Sequence, residues 1–387
     1  MRLLHTADWH LGRIFHGVHL TEDQAYVLDD LVRLVADVRP DAVLVAGDVF
    51  DRAVPPQEAV ALLDDVLSRI VLGLEVPVVL VAGNHDSPER LAFGAEMLAR
   101  SRLHVAGRVE GGPRPVVLED AHGPVEIWPV PFLEPAVVRE ALGDGEIPDQ
   151  QAALAAMLDR VRAAATPGRR QVLVAHAAVA GCATSESERP LAIGGAETVE
   201  PALFEGFHYV ALGHLHRPQA AGAAHVRYAG SLLKYSFSEI DHVKSVTLVE
   251  LDRAGRCRTE PIPLTPRREL RRIEGRIAEI EARGPDEASE DYLLVRLLDE
   301  GPVVDAMGRL RRLYPNVLHI ERPRWTPQAD GTARPAVHRR LSDEDLFATF
   351  FEQMTGEPLD AEAREALREV LEAVRREEAG RAAEGAP

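Results

Sequence analysis

Residues 5–13 read HTADWHLGR, placing an acid and a histidine two positions apart just after the apolar pair Leu3 and Leu4. A short apolar run that stops on such groups is the pattern of a buried strand delivering Asp8 and His10 to the edge of a sheet. The pattern recurs four times. DAVLVAGD (41–48) stops on Asp48, VPVVLVAGNHD (76–86) on Asn84, His85 and Asp86, RQVLVAHA (170–177) on His176, and HYVALGHLH (208–216) on His214 and His216. VEIWPVPF (125–132) and SVTLVEL (245–251) are further strands. Between them, Glu22–Val38 and Gln57–Leu72 carry apolar residues at three- and four-residue spacing and predict helices. Strands alternating with helices predict a layered α/β domain, in which the carboxyl ends of strands converge on one ligand-binding edge.

Each group alone has an ordinary explanation. An Asp after a strand caps a helix or a turn, and Gly47, Gly83 and Gly213 fit turn chemistry. Five strand ends that all deliver oxygen or imidazole donors point to one shared site. Such donors without thiolate suit divalent ions of intermediate hardness, Mn²⁺, Fe²⁺ or Zn²⁺. Two ions ~3.5–4 Å apart need a bridging ligand, for which Asp48 is the natural candidate, and such a pair activates a water and clamps a phosphate.

The chain's 387 residues leave room for two or three units, and 46% hydrophobic with 27% charged residues is the composition of an ordinary globular protein. Cys182 and Cys257 are the only two cysteines, too few for a disulfide framework, and they read as buried free thiols. The apolar stretch after Met1-Arg2 meets Asp8 too soon for a signal peptide, and no run approaches the ~20 residues of a membrane helix, so a cytoplasmic location is expected. The formal net charge of −18 argues against gripping nucleic acid by bulk electrostatics.

PIPLTP (261–266) marks a boundary between a domain of residues 1–264 and a small α/β domain of residues 267–326. In the second, RRELRRIEGRIAEIEARG (267–284) reads as helical, followed by strand, helix and strand at 291–300, 304–315 and 316–323. A linker covers 327–340. Residues 341–387 read as a helical hairpin, with Ser342 as N-cap, Gly356 as stop, and Leu346, Phe347, Phe350, Phe351 and Met354 as an apolar face that needs cover.

The D-x-H of Asp8 and His10, GD at 47–48, GNHD at 83–86, the lone His176 and GHLH at 213–216 together resemble the calcineurin-like metallophosphoesterases. The stretches GDVFDRAVPP (47–56), GNHDSPERLAFG (83–94), ESERPLAIGGAETV (186–199) and YAGSLLKYSFSEIDHVKSV (228–246) narrow the resemblance to the nuclease subunits of bacterial DNA-repair complexes. It implies a two-sheet αββα sandwich with a small α/β capping domain and a C-terminal helical hairpin. It further implies two divalent ions, with Mn²⁺ the expected metal. Asp8, His10, Asp48 and His216 would hold one ion, and Asp48, Asn84, His176 and His214 the other. His85 matches the family's catalytic histidine that is not a ligand, a proton donor to the leaving oxygen or a stabiliser of charge on the phosphate, with a supporting role holding Asp48 in place as the alternative. Arg13 and Arg52 beside the metal motifs are candidate DNA contacts, and Arg267, Arg268, Arg271, Arg272 and Arg276 are a further cluster that could offset the negative charge.

Implied partners are DNA ends and hairpins, an ATPase docking on residues 341–387, and a second copy of the chain meeting helices near Asp51–Leu72 and Pro88–Ala99. A phosphodiesterase or phosphatase for small nucleotides, and a non-catalytic scaffold for an ATPase, stay open as alternatives.

Overall fold

The computed structural model describes residues 1–109, 111–143, 145–188, 198–299, 301, 303–322 and short pieces between 347 and 371. The described residues fall into two compact units, one within 1–273 with 285–294 and 314–319, the other within 274–284 and 295–313 with the described residues after 319.

The first unit is built on two six-stranded sheets. One runs, in spatial order, Cys257–Pro263, Ser245–Leu251, Arg2–Thr6, Ala42–Ala46, Val78–Val81, Leu103–Ala106. The other runs Gln219–Ala221, Ala223–Tyr228, Tyr209–Gly213, Arg170–His176, Gly123–Val130, Val116–Asp120. Strand side chains alternate between faces, so each sheet has two buried sides. Leu3, Leu44, Val79, Val81, Val172, Val174, Tyr209 and Ala211 meet between the sheets. Leu4, Val43 and Val45 point the other way, against Val27, Leu28 and Leu31 of the helix Thr21–Val38 and Leu63 and Val66 of the helix Gln57–Ser68. On the far side, Trp128, Leu173 and Leu212 pack on Leu154, Met157 and Val161 of the helix Gln150–Ala164. The result is a four-layer αββα sandwich.

Both central sheet neighbours of Arg2–Thr6 are in register with it: Leu3 pairs with Ala42 in parallel and with Val249 antiparallel. Tyr209–Gly213 lies parallel to Arg170–His176, with Gly213 opposite His176. Parallel neighbours end at the same edge, and the delivered groups therefore emerge side by side. Pro261 and Pro263 lie within Cys257–Pro263 rather than after a break; as an edge strand it tolerates prolines that a central strand would not. Cys182 and Cys257 are free and only half-buried, more accessible than their composition-based reading.

The segment 267–284 corrects its helical reading. Leu270–Gly275 is a strand with alternating burial, and only Ile277–Arg283 is helical. Its arginines gave it a helix-like composition, but Arg268 and Arg271 are held by Asp23 and by Asp286 and Asp291. Alternation, not charge, decides the element.

In the second unit, Ile277 and Ile280 of the helix Ile277–Arg283 are buried, as are Ala306 and Leu310 of the helix Ala306–Arg311. Glu281 and Arg309 form an ion pair between the two helices. The linker 327–340, the cap Ser342, Leu346, Phe350 and Met354 lie outside the described residues. Among the described residues no helix is long and apolar enough to cross a membrane.

Candidate metal centre

The loops that follow the strands are locked to one another through their backbones. Asp8 N–H donates to Gly47 O at 3.0 Å, and His10 N–H to Asp48 O at 2.9 Å. Asp8, His10, Asp48 and His214 all adopt positive φ, of 52°, 47°, 48° and 109°. Such conformations are unfavourable for residues with side chains and persist where the surrounding structure over-determines them.

The two sheets meet closely at this edge. A Cβ on Gly213 would lie 1.8 Å from Ala46 O of the other sheet, and one on Gly83 would lie 2.1 Å from Asp48 Oδ1. These glycines are needed for close approach, beyond any turn requirement. The Asp8 carboxylate then accepts the His214 amide at 2.9 Å, bridging the sheets. Asp86 ties two loops together by accepting the amides of Val49, Phe50 and Gly83 at 3.1, 2.9 and 2.9 Å. Burial, then the neighbouring Asp48 charge, pushes the Asp86 carboxyl up to about 7 against these donors.

Every candidate ligand from the five strand ends is brought to this place. His10 Nε2 and His216 Nε2 lie 3.0 Å apart, and Asp8, His10 and His216 offer ligand atoms all within 4.8 Å of one another, as do Asp8, Asp48 and His176. Asn84 Oδ1 sits 2.9 Å from His176 Nε2 and 3.1 Å from His214 Nδ1. Asp48 Oδ2 is 3.6 Å from His10 Nε2 and 3.5 Å from His176 Nε2, between the two groups. His176 donates Nδ1–H to Ala46 O at 2.9 Å, which leaves Nε2 as its lone-pair nitrogen.

The electrostatics favour neutral imidazoles. Burial, followed by the surrounding rings, holds His10 well below the ordinary range, and burial lowers His176 and His216 as well. Burial, then His176, brings His214 down to about 3. Burial and then the Asp48 charge push Asp8 well up. Burial alone would raise Asp48 too, but His176, His85 with its backbone amide, and His214 together hold its carboxyl below the usual range.

These residues fit a divalent cation. Asp8 Oδ2 and His10 Nδ1 are buried with no hydrogen-bond partner, and two imidazole nitrogens oppose each other at 3.0 Å. A cation between lone pairs resolves that opposition, and buried carboxylates paired with neutral imidazoles are its usual donors.

His85 stands beside this set, half-buried. Its amide donates to Asp48 Oδ1 at 2.9 Å, its Nδ1–H donates to Asp51 O at 2.8 Å, and its ring lies edge-on to His10 with centroids 4.7 Å apart. Asp51, His10 and His85 also offer three atoms within 4.8 Å. Asp51 Oδ1, however, already accepts the Arg13 guanidinium at 2.9 Å, and a cation there disfavours a metal. Arg13 lies over the Tyr235 ring at 5.2 Å, while Arg52 is exposed beside Asp51. Arg267, Arg268 and Arg271 reach Glu22, Asp23, Asp286 and Asp291, so these three of the arginines expected to offset the acidic charge are spent on acids of the chain itself.

Asp51, Gln24, Ser187, Glu239 and Lys244 were missed by sequence reasoning. Gln24 donates to the carbonyls of Trp9 and His10 at 3.1 and 2.7 Å. No local pattern distinguishes such residues from solvated polar ones. For Asp51, Ser187, Glu239 and Lys244 the one signal was membership of the stretches that carried the resemblance, and Gln24 had none.

Sandwich and site together define a phosphoesterase, and the chain belongs to the calcineurin-like phosphoesterases, whose family model matches residues 1–218. A second family model, the type 5 capsule protein repressor C-terminal domain, matches residues 266–355. Within the class, its near relatives are SbcD-type subunits. The chain is 33% identical over 375 residues to the SbcD subunit of the SbcCD nuclease from Staphylococcus saprophyticus, covering 97% of this chain and 98% of that one. It is 30% identical over 372 residues to the same subunit from Staphylococcus epidermidis, covering 96% and 98%. A dimetal phosphatase from Danio rerio is 12% identical, covering 68% of this chain and 98% of that one with a TM-score of 0.41.

Proposed function

We propose that this chain is a metal-dependent DNA nuclease, hydrolysing phosphodiester bonds at double-strand ends and in hairpins together with an SbcC-like ATPase. The observation that carries the reading is the convergence of Asp8, His10, Asp48, Asn84, His176, His214 and His216 on one edge, with Asp48 between two ligand groups. Relatives named as nuclease subunits over nearly the whole chain give the substrate class.

Asp8, His10, Asp48 and His216 would hold one ion and Asp48, Asn84, His176 and His214 the other, with Mn²⁺ as the expected metal. When bound, the pair supplies an activated water and neutralises charge on the phosphate. His85 donates Nδ1–H to Asp51 O, which fixes its ring, and in its imidazolium form it would hand the Nε2 proton to the leaving oxygen. Arg13, held by Asp51 and Tyr235, presents a fixed positive charge beside the site. The ATPase would supply the remaining positive surface that a chain of net charge −18 lacks.

A homodimer is part of the proposal. The helices Gln57–Ser68, Pro88–Leu91 and Ala95–Ala99 border an apolar patch that includes Val60, Leu72 and Phe93, exposed at 46%, 68% and 81%. Contiguous exposed apolar surface of this kind marks a contact site. A cytoplasmic location follows from the same reading of substrate and partner.

The test is cleavage of end-labelled blunt and hairpin duplexes by the chain, with and without the ATPase and ATP, in Mn²⁺, Mg²⁺ or chelator. Metal-dependent cleavage stimulated by the partner is expected. His85→Ala should lower it ~10²–10⁴-fold while metal binding persists. Hydrolysis of simple phosphodiesters without DNA cleavage would return the substrate to a small nucleotide.

A further inference from the structure

We propose that Ser187, Glu239 and Lys244 form a buried relay that positions His216, fixing its tautomer so that Nε2 is presented as a lone pair. Its metal consequence rests on the reading of His216 as a ligand. The relay itself stands on hydrogen bonds within the chain.

The four side chains come from three separate stretches, with Glu239 and Lys244 five residues apart. Ser187 precedes the strand Thr198–Val199, Glu239 closes the short helical turn Phe237–Glu239, and Lys244 stands before the strand Ser245–Leu251. All four residues are buried, with Glu239 at 0% and His216 at 1% exposure. Lys244 Nζ donates to Glu239 Oε2, to Ser231 Oγ at 2.8 Å and to His216 O at 2.7 Å. Ser187 Oγ contacts both Glu239 Oε1 and, at 2.6 Å, His216 Nδ1. The His216 amide donates to Glu188 Oε1 at 2.8 Å, so the backbone of this residue is held from both sides.

The direction of the chain follows from the chemistry of its members. An ammonium can only donate, and an ionised carboxylate can only accept. The Ser187 hydroxyl must therefore give its proton to Glu239, which leaves its lone pairs facing the imidazole. His216 must then carry its proton on Nδ1, and Nε2, 3.0 Å from His10 Nε2, is left as the donor lone pair. A buried Lys–Glu pair supported by additional hydrogen bonds is stable in place, while either charge alone is not. His10 lacks this support, since its Nδ1 has no hydrogen-bond partner. The relay makes His216 the anchored member of the facing pair, a role that groups behind metal-binding histidines commonly fill.

The experiment uses the full chain with ¹⁵N-labelled histidine, metal-free, and long-range ¹⁵N NMR of the ring nitrogens, with His216→Gln identifying the resonance. Wild type is expected to show the Nδ1–H tautomer alone, and Ser187→Ala a mixture. The double variant Glu239→Gln with Lys244→Met, which removes both charges together, should give the same mixture. Calorimetric Mn²⁺ titration of these proteins should show one ion weakened ~10–100-fold and the other little changed. A single Nδ1–H tautomer that survives in both variants overturns the relay. If the tautomer changes but wild type takes up no Mn²⁺, the relay stands and the metal reading falls. If Mn²⁺ binds wild type and variants alike, the positioning role toward the metal falls.

Discussion

His5 offers a quantitative test of how the two sheets are held together beneath the site. It lies in Arg2–Thr6 of one sheet and is fully buried against the other, where Tyr209 O–H meets its Nδ1 at 2.8 Å and its Nε2 lies 3.2 Å from Leu212 O. A carbonyl can only accept, so Nε2 carries the proton and Nδ1 receives the Tyr209 hydroxyl; a second ring proton would force that bond to reverse and place a charge in the buried interface. Burial, above the other influences, brings the imidazole from 6.5 down to about 3. Above 6.5 neither folded nor unfolded chain protonates this ring. As pH falls below 6.5, the unfolded chain takes up a proton that the folded chain refuses until about 3, so stability is lost through that window. At about pH 5 the loss from this one residue is about 2 kcal/mol, from 1.36 kcal/mol per unit over roughly 1.5 units.

The perturbation is His5→Gln, whose amide can donate to Leu212 O and accept from Tyr209 without titrating. The assay is denaturant unfolding at about pH 7.5 and about pH 5 in chelator, followed by the fluorescence of the buried Trp9 and Trp128. The variant is expected to be less stable at the higher pH, yet to lose about 2 kcal/mol less than wild type on acidification. Equal losses in the two proteins would refute the assignment of a neutral His5 between the sheets.

Two further outcomes concern assembly. Replacing Leu72 and Phe93 together by Asp should convert a dimer to a monomer in light scattering, at unchanged hydrolysis of a simple phosphodiester; an unchanged mass would remove this face as the dimer contact. Deleting residues 341–387 should abolish co-elution with the ATPase and preserve metal-dependent hydrolysis of small substrates, and retained co-elution would sink the assignment of that segment.

The layered fold and the convergence of donors were legible because each donor ends a short Val- and Leu-rich run, and parallel neighbours end together. Asp8, Asp48, His176 and His214 could be read one run at a time. The supporting groups could not. Ser187 meets His216 and Glu239 only through folding, and a charged residue in a polar loop, as Glu239 and Lys244 are, looks the same in sequence whether it is solvated or paired in the interior. The strand Leu270–Gly275 was hidden for a related reason, because its arginines dominate the composition while Leu270 and Gly275 carry the burial. Positive φ at Asp8, His10 and Asp48 had no local signal either, since none of these residues is glycine.

The donors divide between the halves of the sandwich. Residues 8 to 86 supply one share from the first sheet, and residues 176 to 216 supply the other from the second. Neither half of the coding sequence carries a usable centre by itself. Recombination that exchanged one half would have to bring in a partner whose strand ends fit to within a glycine's width. The candidate site is thus complete only when both halves are present, and ions bound there would act as a rivet whose grip reports the alignment of two sheets folded from separate stretches of chain.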